Sequence, residues 1–127
     1  MNRNLLISGA FFGLLAIVLG AFATHGLRPK LPPEAMLSFE TGVRYQMYSA
    51  FFLLFLGGMA NISKKVKKSC FYLTIAGILF FSGSIYLLAT NSLTAFDFRV
   101  IAMMTPIGGS LLIVAWILLL ISLIKLK

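Results

Sequence analysis

Carboxylates are almost absent from this chain: Glu34, Glu40 and Asp97 stand against eleven lysines and arginines in 127 residues. Charged residues of both signs make up only 11% of it, where a soluble domain carries about a quarter. So little polar surface cannot face water, and the 60% hydrophobic content has to be covered by lipid. One cysteine, Cys70, excludes an internal disulfide and a cysteine-rich metal site; it reads as a small hydrophobe near the inner interface. One histidine, His25, is too few for a typical metal site. No serine or cysteine has a base at motif spacing, and the glycines lie inside apolar runs rather than in a phosphate-binding loop. These absences argue against an enzyme, a metal and a cofactor. Alternation of apolar and polar residues is missing too, which excludes a transmembrane β-barrel.

Long apolar runs are what the sequence has instead. About twenty apolar residues, rising 1.5 Å each, cross the ~30 Å hydrocarbon core, and lipid forces such runs to be helical. Four segments qualify, at about residues 5–24, 43–61, 70–90 and 106–124. The expected fold is all-α: a polytopic membrane protein forming one bundle of four transmembrane helices across residues 1–127. Ala21-Phe22-Ala23 imitates a signal-peptidase site, but the preceding run is long for a signal peptide, so this segment is expected to stay as the first span.

The net charge of +8 suggests a nucleic-acid partner only until the charges are placed. Arg3, Lys64, Lys65, Lys67, Lys68, Lys125 and Lys127 fall on one side of a four-span chain, with no acid among them. The other side carries Arg28, Lys30, Arg44 and Arg99 with all three acids. The basic excess puts both termini and the second loop in the cytoplasm. Lys64, Lys65, Lys67 and Lys68 are then expected at anionic lipid headgroups, and nucleic acid is not a partner. Tyr45, Tyr48, Phe96 and Phe98 mark the outer boundary and Tyr72 the inner one.

The first outer loop holds Pro29, Pro32 and Pro33, and Pro33 is suited to open a short helix through Phe39 that leads into the second span. Thr105-Pro106 reads as an N-cap followed by proline at N1, with an earlier start and a kink at Pro106 as the alternative. A faint echo links Ala23–Leu27 (Ala-Thr-His-Gly-Leu) with Ala89–Leu93 (Ala-Thr-Asn-Ser-Leu), as parallel repeats would.

Lipid removes the hydrophobic drive between helices, so small residues that admit close backbones have to hold them. Gly9, Gly13 and Gly20 form such a stripe on the first span; Gly77 and Gly83 supply one on the third, and Gly108 and Gly109 on the fourth. Spacing alone leaves two uses open, contacts within the bundle or a homo-oligomer interface. Glu40 and Arg44, four residues apart, are expected to pair on one helix face. The topology adds His25, Tyr45, Tyr48, Asp97 and Arg99 at the same side, forming a candidate outer polar cluster. Such a cluster either satisfies exposed helix ends or forms a binding or proton-coupled site.

Four ordered elements carry a family resemblance. Gly20–Leu27 (GAFATHGL) resembles the "GAFGAHGL" element, and Phe39–Tyr48 (FETGVRYQMY) the "FETGVRYQxYHA" element, of domain of unknown function 423. Phe81–Leu88 (FSGSIYLL) and Thr105–Gly109 (TPIGG) match two more. Ser49 departs from the pattern, standing where the family usually has histidine. That family consists of small bacterial membrane proteins, similar to a eukaryotic group of small transmembrane proteins. The resemblance implies a bacterial inner-membrane location and a four-helix fold, and adds no biochemistry. The function expected is therefore a non-enzymatic membrane scaffold that assembles with a partner. The alternatives are an oligomeric transporter or channel for small solutes, ions or protons, and an anionic-lipid-binding protein.

Overall fold

The computed structural model describes residues 1–93 and 101–126; Asp97, Arg99, Phe96, Phe98 and Lys127 lie outside the described residues. Helix α1 (Asn2–Phe22) passes without a break into a π turn, Ala23–Leu27. Helix α2 (Pro33–Gly58) opens on Pro33, whose missing N–H costs nothing in a first turn, and on Glu34, which suits the helix dipole. The short helix expected before the second span is therefore the start of one continuous 26-residue helix.

Helix α3 (Lys64–Ile78) is capped by Ser63, whose Oγ accepts from the Val66 N–H at 3.2 Å. It continues through a second π turn, Leu79–Gly83, into α4 (Ser84–Ala89), and a 3-10 turn follows at Asn91–Leu93. The echoed segments thus end differently, one in a π turn and the other in a 3-10 turn. Helix α5 (Met104–Ile124) begins two residues before Pro106, and Thr105 does not cap it. Pro106 is tolerated because N–H groups of a first turn have no partner within the helix.

Three of these columns, Asn2–Leu27, Lys64–Ala89 and Met104–Ile124, are long and apolar enough to cross a membrane. Helix α2 is as long, but Glu34, Glu40, Arg44 and Gln46 make its first half polar. Large apolar side chains cover the outside: Leu14 is 64% exposed and Ile113 61%. That surface suits lipid and would be untenable in water.

Helix α1 packs most extensively against α2, and α3 against α5, while α2 joins the two pairs through α3 and α4. The crossings are made by small residues. A Cβ added at Gly9 would lie 2.9 Å from the Ala50 carbonyl oxygen and 2.8 Å from Leu54 Cγ. At Gly108 it would lie 2.2 Å from the Phe81 nitrogen and 2.6 Å from the Phe80 carbonyl carbon. Gly77 faces Leu112 at 2.6 Å on the same seam. Gly13, Gly20 and Gly109 make ordinary contacts inside the bundle, so the Gly9 stripe is spent on α2 within the chain. Gly83 is the exception among the expected packing glycines, with nothing within 4 Å. Gly42 and Gly57, not singled out from the sequence, are close-packed against Tyr86 and Leu6.

Lys67 also departs from expectation. Instead of reaching lipid headgroups it is 3% exposed, and its ammonium donates to Asn2 Oδ1 at 2.8 Å and to the Met59 carbonyl. A cation there meets the negative end of α2, where the last carbonyls lack helical partners. Lys64, Lys65 and Lys68 remain exposed.

Gly108→Ala should force α5 away from the Phe80–Phe81 backbone and cost about 1–3 kcal/mol, the usual range for overpacking. Gly83→Ala should change little; thermal melting of the two variants in detergent distinguishes a packed glycine from an open one.

Candidate functional site

Residues of three of the four sequence elements meet in one place. On α2, Gly42 and Gln46 face inward; on the second π turn and α4, Ser82, Ser84 and Tyr86 face them; Thr105 closes the group from the start of α5. The Ser82 hydroxyl donates to the Gly42 carbonyl at 2.7 Å, which requires the close approach that a glycine allows. The Tyr86 hydroxyl donates to Gln46 Oε1 at 2.6 Å, and Gln46 Nε2 donates to the Phe12 carbonyl of α1 at 2.9 Å. The Ser84 hydroxyl lies 2.5 Å from Thr105 Oγ1 and within reach of the Phe80 and Phe81 carbonyls at 2.6 and 3.0 Å. Gln46, Ser82 and Ser84 are each at most 3% exposed.

The second π turn explains part of this convergence. Its wider register changes which carbonyls are satisfied along the helix, and Ser84 sits where two of them can be met. The Tyr86 ring lies on Phe39 at 4.8 Å between centroids, which holds the phenol toward Gln46. Chemically the seam is neutral. Its hydroxyls and amide satisfy one another and main-chain carbonyls across four helices, and among the described residues no ionisable acid or base enters it apart from the Tyr86 phenol.

The candidate outer cluster is placed differently. Glu40 pairs with Arg28 at 3.0 Å, not with Arg44. The first π turn is the cause: it ends with the Arg28 N–H donating to the Ala23 carbonyl at 2.9 Å, which brings Arg28 round to face α2. This is the one salt bridge among the described residues, and it is partly exposed. His25 and Arg44 are exposed without a polar partner among the described residues. Tyr45 and Tyr48 pack edge-to-face at 5.4 Å on the outside of α2. No group of three or more His, Cys, Asp or Glu that could hold a metal occurs among the described residues.

Sequence reasoning favoured charge and so passed over the hydrogen-bonding role of Gln46, Ser82, Ser84 and Tyr86. The available signal was a glutamine, two serines and a tyrosine inside otherwise apolar helices, since such groups need partners across the bundle. A double-mutant cycle of Gln46→Met with Tyr86→Phe should give a coupling of about 0.6–1.7 kcal/mol in detergent unfolding. Strict additivity would show that the bond contributes nothing.

Residues 19–109 match the family described as "Protein of unknown function (DUF423)". The chain is similar to a UPF0382 membrane protein of Staphylococcus aureus, 36% identical over 120 residues that cover 94% of each chain. It is similar to the UPF0382 membrane protein YwdK of Bacillus subtilis, 34% identical over 122 residues, 94% of this chain and 95% of the relative. A UPF0382 membrane protein of Haemophilus influenzae is 36% identical over 117 residues, 92% of this chain and 90% of the relative. No solved structure matches. With a helical fold sheathed in apolar side chains and full-length relatives named as membrane proteins, the chain belongs to the DUF423 family of membrane proteins of unknown function.

Proposed function

We propose that the protein spans the bacterial inner membrane four times, with both termini and the α2–α3 turn in the cytoplasm. It acts without catalysis, by assembling with another membrane protein. The basic residues at the Lys67 end of the bundle support the orientation, and the 26-residue length of α2 is sufficient for a span despite its polar first half. Exposed Lys64, Lys65 and Lys68 supply ordinary contact with anionic lipid.

The observation that carries the assembly role is the self-satisfied seam. Gln46, Ser82, Ser84, Tyr86 and Thr105 bond to each other and to main-chain carbonyls. They serve to hold helices rather than to line a path or activate a nucleophile. Among the polar groups left facing outward are His25 and the partly exposed Arg28–Glu40 pair, at the corner where α1 turns into α2. That corner is the contact surface, suited to a polar loop of a partner at the outer face.

A reporter fused after Lys127 should be active only on the cytoplasmic side; activity confined to the outer side overturns the orientation. A photoreactive residue at position 25, irradiated in native membranes, should yield a discrete cross-linked species. If cross-linking and pull-downs recover no protein, and deletion leaves every membrane complex at its normal size, the assembly role is wrong.

A further inference from the structure

A groove of about 880 Å³ runs between α2 and α5. Tyr48, Phe51 and Phe55 line it from α2, and Ile113, Trp116 and Leu120 from α5. Its walls are almost entirely apolar, and its volume lies in the range of about 300–1,000 Å³ usual for small-molecule sites. Along α2 it extends from Tyr45 to Phe55. At 1.5 Å per residue that is a rise of about 15 Å, half of the ~30 Å hydrocarbon core and so about the depth of one leaflet.

Arg44 lies one turn before Tyr48 on the α2 stripe that lines this groove. Arg44, Tyr48, Phe51 and Phe55 follow i, i+4, i+7, i+11 spacing and share one stripe of α2. Helical side chains lean toward the N-terminus, and a long arginine stem carries its charge further that way. The guanidinium therefore extends beyond the Tyr45–Tyr48 pair, toward the end of the bundle that bears Arg28 and Glu40. Arg44 is exposed and meets no acid among the described residues, because Glu40, the acid on its own face, is bonded to Arg28 at 3.0 Å. An arginine with no partner among the described residues, on a lipid-facing helix, is costly unless the surroundings supply an anion.

The chain supplies almost none. With three acids against eleven basic residues, a second copy would bring chiefly more positive charge. A phospholipid brings both missing parts, a phosphate that the guanidinium can bind through two parallel N–H groups and a hydrocarbon chain for the groove. Tyr45 and Tyr48 stand between the two, where phenol rings favour the boundary of headgroup and chain. We propose that the α2–α5 groove is a specific site for one anionic phospholipid, its phosphate held by Arg44 and an acyl chain lying along Phe51, Phe55 and Trp116. This goes beyond the assembly role, which uses the His25–Arg28–Glu40 corner, and the two can fail separately.

Trp116 is the single tryptophan and lines the groove, so it reports occupancy directly. The full chain is reconstituted in phosphatidylcholine nanodiscs carrying a minor fraction of phosphatidylglycerol with brominated acyl chains, and tryptophan quenching is compared with the mole fraction. Quenching should correspond to about fivefold enrichment, the worth of one basic contact at a headgroup. Brominated phosphatidylcholine at the same fraction should show no enrichment, a comparison that needs no variant. Arg44→Gln should return phosphatidylglycerol to the mole-fraction line, and Arg44→Lys should retain part of the excess. In a Trp116→Phe/Leu14→Trp variant, the reporter on the exposed face of α1 should follow mole fraction with either lipid. Equal quenching by both lipids at Trp116 would reduce the groove to ordinary boundary lipid and overturn the proposal. So would enrichment that survives Arg44→Gln, or no quenching by either lipid, which would mean that a protein helix fills the groove.

Discussion

Backbone-to-backbone contact at Gly108 is the constraint on which the C-terminal half of the bundle depends. Helix α5 lies so close to the Phe80–Phe81 peptide that even a methyl group would not fit between them. Lipid is as apolar as the side chains it touches, so burial alone does not select one helix arrangement over another. Shape has to do so, and Gly108, Gly77 and Gly9 provide the places where helices come near enough for dispersion and polar contacts to act. Helix α5 has little besides this contact to fix its rotation, since its surface is apolar nearly all round. The second π turn lies at the same point, so its Phe80–Phe81 peptide is covered by α5, while the Leu79 side chain and Gly83 face outward.

The polar seam builds on that closeness. Ser82 reaches the Gly42 carbonyl because α2 and the π turn are near, and Ser84 reaches Thr105 because α5 is near. Individual hydrogen bonds of this kind are modest in a membrane, about 0.6 kcal/mol on average. Their value lies in register: Gln46 ties α1 to α4 through a single side chain, which two sliding apolar surfaces could not achieve. Three of the four sequence elements that carry the family resemblance thus supply parts of one internal fastening, and the residues they contribute are explained by helix placement before any chemistry is invoked.

Much of the architecture was legible from apolar run lengths. The expected segments 5–24, 70–90 and 106–124 fall within Asn2–Leu27, close to Lys64–Ala89 and within Met104–Ile124. Helix α2 was harder, because hydropathy registers only its second half, and the continuous helix from Pro33 includes turns that apolar content could not show. The glycine stripes were found as small residues at helical spacing, although spacing could not reveal that Gly83 faces open space and Gly42 does not. Charge misled twice. Glu40 and Arg44 have the right spacing, but the π turn offers Glu40 a different arginine, and no simple periodicity predicts a π turn. Lys67 belongs to a run of lysines that otherwise faces outward, and one step of helical phase turns it into the protein.

That inward lysine bears on the order in which the molecule is built. Asn2 Oδ1 is made before its partner Lys67, which follows 65 residues later. The carbonyl of Met59 and the start of α1 gain their cation only once the first turn of α3 has been synthesised. The bond therefore closes only after α1 and α2 have both been made. It draws the start of α1 onto the α2–α3 turn, so that Asn2, although exposed, is tied by its side chain to a buried cation.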